Sequence, residues 1–282
     1  MDPIVGIDIS EYQWRAGIPF GMLPRLNARG VRFLIARATI GTRPDPSFAP
    51  NRHRGTFRSW VPGGYHYLVD SIDPLAQEDA FSDECRRTGG IDGLLTALDV
   101  EDDNRGPILN RVKLRDVAAW AKRWKDNHPL HQLILYTNLA TWGRLGNPDA
   151  ESLGFDLLWQ ARWYVDNERE LPERPPHGFG GMRSPLWQWG SFDIKSQSGN
   201  MLHLDGNAWY GTLDGLREVA AVERKPLEDR PAYREAYNAQ VAAALAALGG
   251  LTPATGKPAV VAGSTDALSA AIAAVEEQKL GR

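Results

Sequence analysis

The chain has 282 residues, enough for one large domain and a short additional segment, and its 43% hydrophobic and 24% charged content is typical of globular proteins. Its 32 basic and 35 acidic residues give a formal net charge of −3, which provides no electrostatic case for binding nucleic acid or an anionic membrane. The single cysteine, Cys85, excludes an internal disulfide and a cysteine-based zinc cluster.

The N-terminal residues contain no basic stretch followed by an apolar run, and no segment reaches the length of a membrane span. The sequence instead enters a predicted core strand at Ile4. We therefore expect no export signal within this numbering, although processing ahead of residue 1 would explain the same pattern.

Short apolar runs alternate with helical patterns almost to residue 220. We predict eight strands, at 4–10, 32–39, 63–69, 94–101, 133–138, 156–163, 184–190 and 201–209. Amphipathic helices are predicted within 73–90, which paired glycines end, and within 110–129, where Val117, Trp120 and Trp124 share a stripe. Eight strands alternating with helices predict an α/β fold, a closed (β/α)8-type barrel.

The later part of the predicted barrel departs from regular alternation. Helical patterns thin out after the fifth strand, and 164–183 is a loop rich in proline and glycine. We therefore expect an irregular barrel in which the last strands pair antiparallel.

The composition becomes rich in alanine near residue 225. We divide the chain into a catalytic barrel at 1–222 and a helical C-terminal extension at 223–282, in which two apolar stripes flank a loop at 251–264. Two short helices form too small a core to fold alone, so their stripes must be buried. The barrel's own outer helices, a second copy of the chain or a partner protein are the alternatives.

The sharpest chemical signal is the segment LLTALDVEDD at 94–103. Strand parity places Asp99 and Glu101 on the same face, about 6.6 Å apart along the backbone, at the end where barrel enzymes carry their chemistry. Two carboxylates so close should have their pKa values pushed apart, so that one acts as a general acid while the other stays ionised. For this segment alone, a solvated acidic loop is the alternative.

Two further aspartates lie within apolar strands. Asp8 interrupts the run IVGIDIS, where an unpaired carboxylate would be costly unless the protein uses it, and Asp205 repeats the pattern in the last strand. A capping or loop role is the alternative for either one. Because the first, fourth and eighth strands all reach one barrel mouth, we predict a single acidic site with four members: Asp8, Asp99, Glu101 and Asp205.

Seven short motifs follow one another along the chain: GIDIS, GGYHY, LDVE, YTN, LWQARW, WQWG and HLDGNAW. Over residues 4 to about 212 they resemble the family 25 glycoside hydrolases, the Chalaropsis-type lysozymes or N-acetylmuramidases common among phage endolysins. The resemblance implies hydrolysis of the β-1,4 bond between N-acetylmuramic acid and N-acetylglucosamine in peptidoglycan. It also implies that Glu101 is the general acid and that Asp99, Asp8 and Asp205 complete the site.

Two mechanisms remain open for such a site. In the preferred one, Asp99 orients the 2-acetamido group of the muramic sugar, whose carbonyl attacks the anomeric carbon with retention of configuration. In the other, Asp205 or Asp8 is the base for an attacking water.

The second strand departs from the family pattern. Where the family often carries a Lys-Ala-Thr-Glu-Gly-like stretch, this chain has Arg37, Ala38, Thr39, Ile40 and Gly41. Arg37 keeps the positive charge, whereas Ile40 removes an acid, so we expect a change in substrate preference and not in reaction.

Aromatic and polar residues near the strand ends suit the faces of sugar rings, with core packing as the alternative for each. The predicted substrate-binding set is Tyr65, Tyr67, Tyr136, Trp159, Trp163, Trp187, Gln188 and Arg37. We interpret His66 as a structural histidine, and we expect no metal and no cofactor, because the other histidines lack ligand spacing.

The lack of an export signal within this numbering favours a protein that reaches the cell wall by another route. We expect a phage lysin or a virion-associated lysozyme, made in the host cytoplasm or carried on a virion, with peptidoglycan as its partner and neither nucleic acid nor a membrane. Residues 225–282 would serve self-association or contact with a phage partner. The alternative functions are a chitin-type N-acetylglucosaminidase and a non-catalytic barrel that binds the cell wall.

Overall fold

The computed structural model describes residues 2–103, 110–163, 165, 167–196 and 199–221. The predicted extension at 223–282 lies outside the described residues, and its helices stay a prediction. None of the helices described is both long and apolar enough to cross a bilayer.

The described residues form a barrel of mixed parallel and antiparallel strands. The strands are β1 (Ile4–Ile9), β2 (Val31–Ile40), β3 (Arg43–Pro44), β4 (Val61–Tyr67), β5 (Leu95–Asp99), β6 (Ile134–Asn138), β7 (Leu157–Ala161), β8 (Leu186–Lys195) and β9 (Met201–Trp209). The sheet order is β1-β9-β8-β7-β6-β5-β4-β2-β3, and a parallel β1–β2 pairing closes it. Eight strands therefore form the barrel, and the two-residue β3 is added to the end of β2.

The predicted irregular (β/α)8-type barrel is thus confirmed, including its antiparallel end. β9 runs antiparallel to both β8 and β1, whereas the other neighbouring barrel strands are parallel. Each of the eight predicted strands overlaps an observed one.

Helices connect the strands on the outside. They are α1 (Glu11–Trp14), α2 (Leu23–Ala28), α3 (Phe48–Phe57), α4 (Pro74–Arg87), α5 (Leu114–Asn127), α6 (Leu139–Arg144) and α7 (Leu213–Ala220). The segment predicted at 73–90 is α4, which starts because the Asp73 carboxylate accepts a hydrogen bond from the Leu75 N–H and Pro74 occupies the first helical position. The stripe predicted within 110–129 is the buried face of α5.

The barrel has an apolar lumen that is closed at one end. Phe33, Ile35, Leu95 and Ile134 fill it, and α7 adds Leu216 and Ala220 to the same cluster. Because β9 is antiparallel, its last residue lies beside the first residues of β1 and β8, and α7 continues from that end. The opposite end, where the parallel strands terminate, is left for polar side chains. We call it the mouth.

A second apolar layer packs between the strands and the helices. His66 lies in this layer, where its ring stacks on Trp120 with 5.4 Å between centroids. Its Nδ1 is 2.6 Å from Thr39 Oγ1 and its Nε2 is 3.2 Å from Gln77 Oε1. Burial lowers the pKa of His66 to about 3, so the ring is neutral at physiological pH. This position gives His66 a packing role away from the mouth.

Candidate active site

Three strands bring the predicted aspartates to the mouth. Asp8 in β1 is the cross-strand partner of Asp205 in β9, and Asp99 is the last residue of β5. Glu101 follows two residues after β5. Burial is the largest cause of the raised pKa values of Asp8 and Asp99. Repulsion adds to it, from Asp205 and Glu101 at Asp8 and from Glu101 and Asp8 at Asp99. The structure therefore gathers all four predicted carboxylates into one electrostatically coupled group.

Asp99 is a buried carboxylate with an oxygen that lacks a hydrogen-bond partner among the described residues. It is 5% exposed, and its Oδ1 is buried with no hydrogen-bond partner in the described part of the chain. Burial is the largest cause of its raised pKa, followed by the charge of Glu101. A buried carboxylate oxygen without a partner is unusual, and it is free to accept a hydrogen bond from a bound ligand.

Asp8, unlike Asp99 Oδ1, has hydrogen-bond donors from two side chains. Its Oδ2 accepts one hydrogen bond from Gln188 Nε2 at 2.9 Å and another from Asn207 Nδ2 at 2.7 Å. These donors stabilise the ionised form, but burial and the charge of Asp205 outweigh them and raise the pKa of Asp8 well above 3.8.

Asn207, which was not among the predicted site residues, is fully buried in β9. Its Oδ1 accepts from Trp159 Nε1 at 2.8 Å while its Nδ2 donates to Asp8. The available signal was parity, since Asn207 lies two residues after Asp205 and shares its strand face.

Asn110 was also missed, and it fixes the chain around Glu101. Its Nδ2 donates to the carbonyl oxygens of Leu68 at 2.9 Å and of Glu101 at 3.2 Å, and lies 3.2 Å from the Tyr67 hydroxyl. Its Oδ1 accepts from the backbone N–H of Asp70. One buried amide thus ties the segment after β5 to the segment after β4.

Arg37 lies in the second half of β2, 4% exposed, within an ion-pair network. Its Nε donates to Asp45 Oδ2 at 2.8 Å, its Nη2 lies 3.3 Å from Glu11 Oε1, and its guanidinium carbon lies 4.9 Å from the ring centroid of Tyr12. Its positive charge opposes the rise in the pKa of Asp99. Arg37 therefore acts on the acidic group through its field, while its hydrogen bonds go to Asp45 and Glu11.

The predicted aromatic residues separate into three groups. Trp159 and Tyr136 are buried in the lumen with ring centroids 4.6 Å apart, and Tyr65 packs edge-on against Trp159 at 6.3 Å. Tyr67 is partly exposed beside Asp99, and Trp163 is 60% exposed. The first group forms the floor of the mouth and the others are open to a ligand.

Trp187 is placed differently from the prediction. It is fully buried in the layer between barrel and helices, with its indole N–H donating to the Arg162 carbonyl oxygen at 2.9 Å. Adjacent strand residues face opposite sides, so Gln188 points toward Asp8 and Trp187 points away from the mouth. A substrate-binding role for Trp187 is incompatible with that position, and we correct the prediction accordingly.

The mouth does not present a metal centre within the ranges described, where no group of three or more His, Cys, Asp or Glu side chains is arranged to hold an ion.

Residues 7–197 match the sequence model of the glycosyl hydrolases family 25. This range contains Asp8, Asp99 and Glu101, whereas Asp205 lies beyond it. No curated protein matches the chain in sequence.

Solved structures share the fold over most of the chain. A bacterial lysozyme from Streptomyces coelicolor is 21% identical, with a TM-score of 0.60 over 78% of this chain and 98% of that one. A muramidase from Trichobolus zukalii is 26% identical, with a TM-score of 0.57 over 77% and 98%. The catalytic domain of endolysin ply40 from bacteriophage P40 of Listeria monocytogenes is 18% identical, with a TM-score of 0.52 over 77% and 98%.

Proposed function

The chain belongs to family 25 of the glycosyl hydrolases, and from that premise we propose that it is a muramidase, which cleaves the β-1,4 bond between N-acetylmuramic acid and N-acetylglucosamine in peptidoglycan. The observation that carries the proposal is the coupled group of Asp8, Asp99, Asp205 and Glu101 at the barrel mouth. Glycoside hydrolysis needs a proton donor and a second carboxylate, and this group supplies both. The lysozyme and muramidase among the structural relatives support the choice of substrate.

In the proposed mechanism Glu101 is the general acid. It lies past the end of β5 and is partly exposed, on a segment that Asn110 holds in place. Its proton passes to the glycosidic oxygen as the bond from that oxygen to the anomeric carbon breaks.

Asp99 is proposed to bind the acetamido group of the muramic sugar. Its unpartnered Oδ1 would accept a hydrogen bond from the acetamido N–H, which directs the acetamido carbonyl oxygen at the anomeric carbon. The carbonyl oxygen forms the new bond as the leaving oxygen takes the proton of Glu101. Water then opens the cyclised sugar, and the Glu101 carboxylate accepts a proton from that water, which restores the enzyme with net retention.

The competing route uses Asp205 or Asp8 as the base that activates a water. The position of Asp205 opposite Asp8 favours this as the second candidate, because one of two facing carboxylates can hold a proton for the other. This route inverts the anomeric configuration, so the first-formed anomer distinguishes the two mechanisms.

A comparison of substrates tests the proposed function against a chitin-type enzyme and against a non-catalytic barrel. We expect the protein to release soluble muropeptides from purified sacculi, detected by mass spectrometry, and to leave N-acetylglucosamine oligomers intact. Cleavage of the chitin oligomers alone would identify the glucosaminidase. Binding to sacculi without any released product would identify a wall-binding barrel.

We also propose that the protein serves as a phage lysin or virion-associated lysozyme, made in the host cytoplasm or carried on a virion. What supports this is the endolysin domain among its structural relatives. Expressed inside a susceptible bacterium, the protein should cause lysis only when a membrane-permeabilising holin is expressed with it. Rapid lysis without the holin would contradict this assignment while leaving the muramidase activity unaffected.

A further inference from the structure

The Asp8 carboxylate is positioned by two amides, and a tryptophan positions each amide. Asn207 donates to Asp8 Oδ2 and accepts from Trp159 Nε1 at 2.8 Å. Gln188 donates to the same oxygen and accepts from Trp163 Nε1, also at 2.8 Å. The chain thus contains two indole–amide–carboxylate relays that converge on one atom.

The Gln188 amide is locked in orientation by its partners. Its Oε1 accepts from the Tyr136 hydroxyl at 3.0 Å as well as from Trp163, which uses both acceptor sites of a carbonyl oxygen. Rotating the amide by half a turn would set its NH₂ group against two donors and its oxygen against the Asp8 carboxylate. The N–H of Trp163 therefore helps to keep the donor of Gln188 on Asp8.

The two relays differ in their exposure. Trp159 is 1% exposed and fixed within the lumen, whereas Trp163 is 60% exposed just after β7. An exposed indole at the mouth presents a flat apolar face to a sugar ring. Because the same indole carries the N–H that holds Gln188, a ligand on its face restrains that hydrogen bond.

We propose that Trp163 is a positioning residue for the reaction, acting on Asp8 through Gln188, so that a sugar stacked on its ring orders the carboxylate through two hydrogen bonds. The inference rests on the proposed muramidase function. It gives Trp163 two separable roles, since the ring contributes to binding and the indole N–H contributes to turnover.

Several other groups lie around Asp8 and must be considered when the pH dependence of the reaction is measured. The carboxylates that face it are Asp205 on β9, Asp99 on β5 and Glu101 after β5, and the neighbouring hydroxyls are Tyr65 on β4 and Tyr136 on β6. The Gln188 amide stabilises the ionised form of Asp8. In the proposed relay the ionised form of Asp8 is the active one, so a less well oriented amide, which raises the pKa of Asp8, moves the acidic limb of the rate profile to higher pH.

Trp163→Phe tests the inference, because it keeps an aromatic ring and removes the indole N–H. On soluble glycan strands we expect KM to change little and kcat to fall about fivefold, the equivalent of one lost hydrogen bond. The acidic limb of kcat should also move to higher pH. Trp163→Ala should raise KM in addition, and Leu130→Ala, at an exposed apolar position on the far end of the barrel, is the control.

Trp163→Phe with wild-type kcat and an unmoved acidic limb would overturn the inference and leave Trp163 as a stacking surface alone. A raised KM with unchanged kcat would overturn it equally. Because Trp163 is exposed, we expect both variants to fold like the wild type, and thermal unfolding checks this. A wild-type protein that released no reducing ends would refute the proposed function and not the relay.

Discussion

Asp8 and Asp205 lie directly opposite each other in the antiparallel pairing of β1 with β9. Facing residues in such a pair have Cα atoms about 5 Å apart, and like charges there are unfavourable. Burial raises the pKa of Asp8, and the repulsion from Asp205 raises it further. Such an unfavourable pair at a barrel mouth is typical of a functional site.

Glu101→Gln removes the proposed proton donor while keeping shape and hydrogen bonding. We expect kcat to fall by about 100-fold or more, the usual scale for lost acid catalysis, without loss of thermal stability. Reducing-end release from soluble glycan strands measures it. Glu151→Gln, at an exposed position in a 3₁₀ turn, is the matched control. Near-wild-type turnover by a folded Glu101→Gln protein would refute the assignment.

Asp99→Asn tests whether the acetamido group takes part in the reaction. An amide cannot accept a proton or balance the positive charge that develops on the cyclised sugar, so we expect severe loss of kcat. A thiazoline analogue of the cyclised intermediate should inhibit the wild type. NMR of the first-formed anomer is the decisive measurement, and early inversion would exclude this route in favour of a water activated by Asp205 or Asp8.

The same substitution predicts a pH-dependent gain in stability. Burial and Glu101 raise the pKa of Asp99 above its ordinary value of 3.8, so between these two values the unfolded chain has released a proton that the folded chain keeps. Wild-type stability therefore falls as pH rises from about 4 until the folded pKa is passed, and Asn removes this loss.

Thermal unfolding of wild type and Asp99→Asn across that range measures the effect. The difference in Tm should be smallest near about pH 4 and should grow in favour of the variant toward neutrality. Asp214→Asn, at a position 84% exposed, is the control. A difference in Tm that did not change with pH would contradict the raised pKa.

Residues 223–282 are predicted to be dispensable for the chemistry. A protein truncated after Val222 should hydrolyse soluble glycan strands at the wild-type rate, and light scattering should report a smaller assembly if the segment binds another copy. A truncated protein that failed to fold would show that the extension belongs to the catalytic domain.

Strand periodicity predicted much of the barrel because each strand's apolar residues follow the pattern of its buried positions. It placed Asp99 correctly on the lumen face. Glu101 lies beyond the end of β5, so its location depends on the Asn110 contacts, which no periodicity reveals. No local pattern indicates that the pairing of β2 with β4 shifts register between Arg37 and Thr39 of β2.

The misplaced residue and the missed ones have different causes. Trp187 was grouped with the sugar-stacking aromatics because it is an aromatic residue near a strand end, although its strand parity is opposite to that of Gln188. Asn207 carries no charge, and its role comes from a partner nearly two hundred residues away in sequence. Contacts between β1, β8 and β9 exist only once the barrel closes, which local patterns cannot specify.

The identity of the sugar at the new reducing end tests the central claim most directly. Peptidoglycan digested by the wild type is reduced with borohydride, hydrolysed and analysed for its sugar alcohols, with a Glu101→Gln digest as the blank. The account predicts that muramicitol accumulates and that glucosaminitol does not. Glucosaminitol as the main product would show that the protein cleaves the other glycosidic bond and would contradict its assignment as a muramidase.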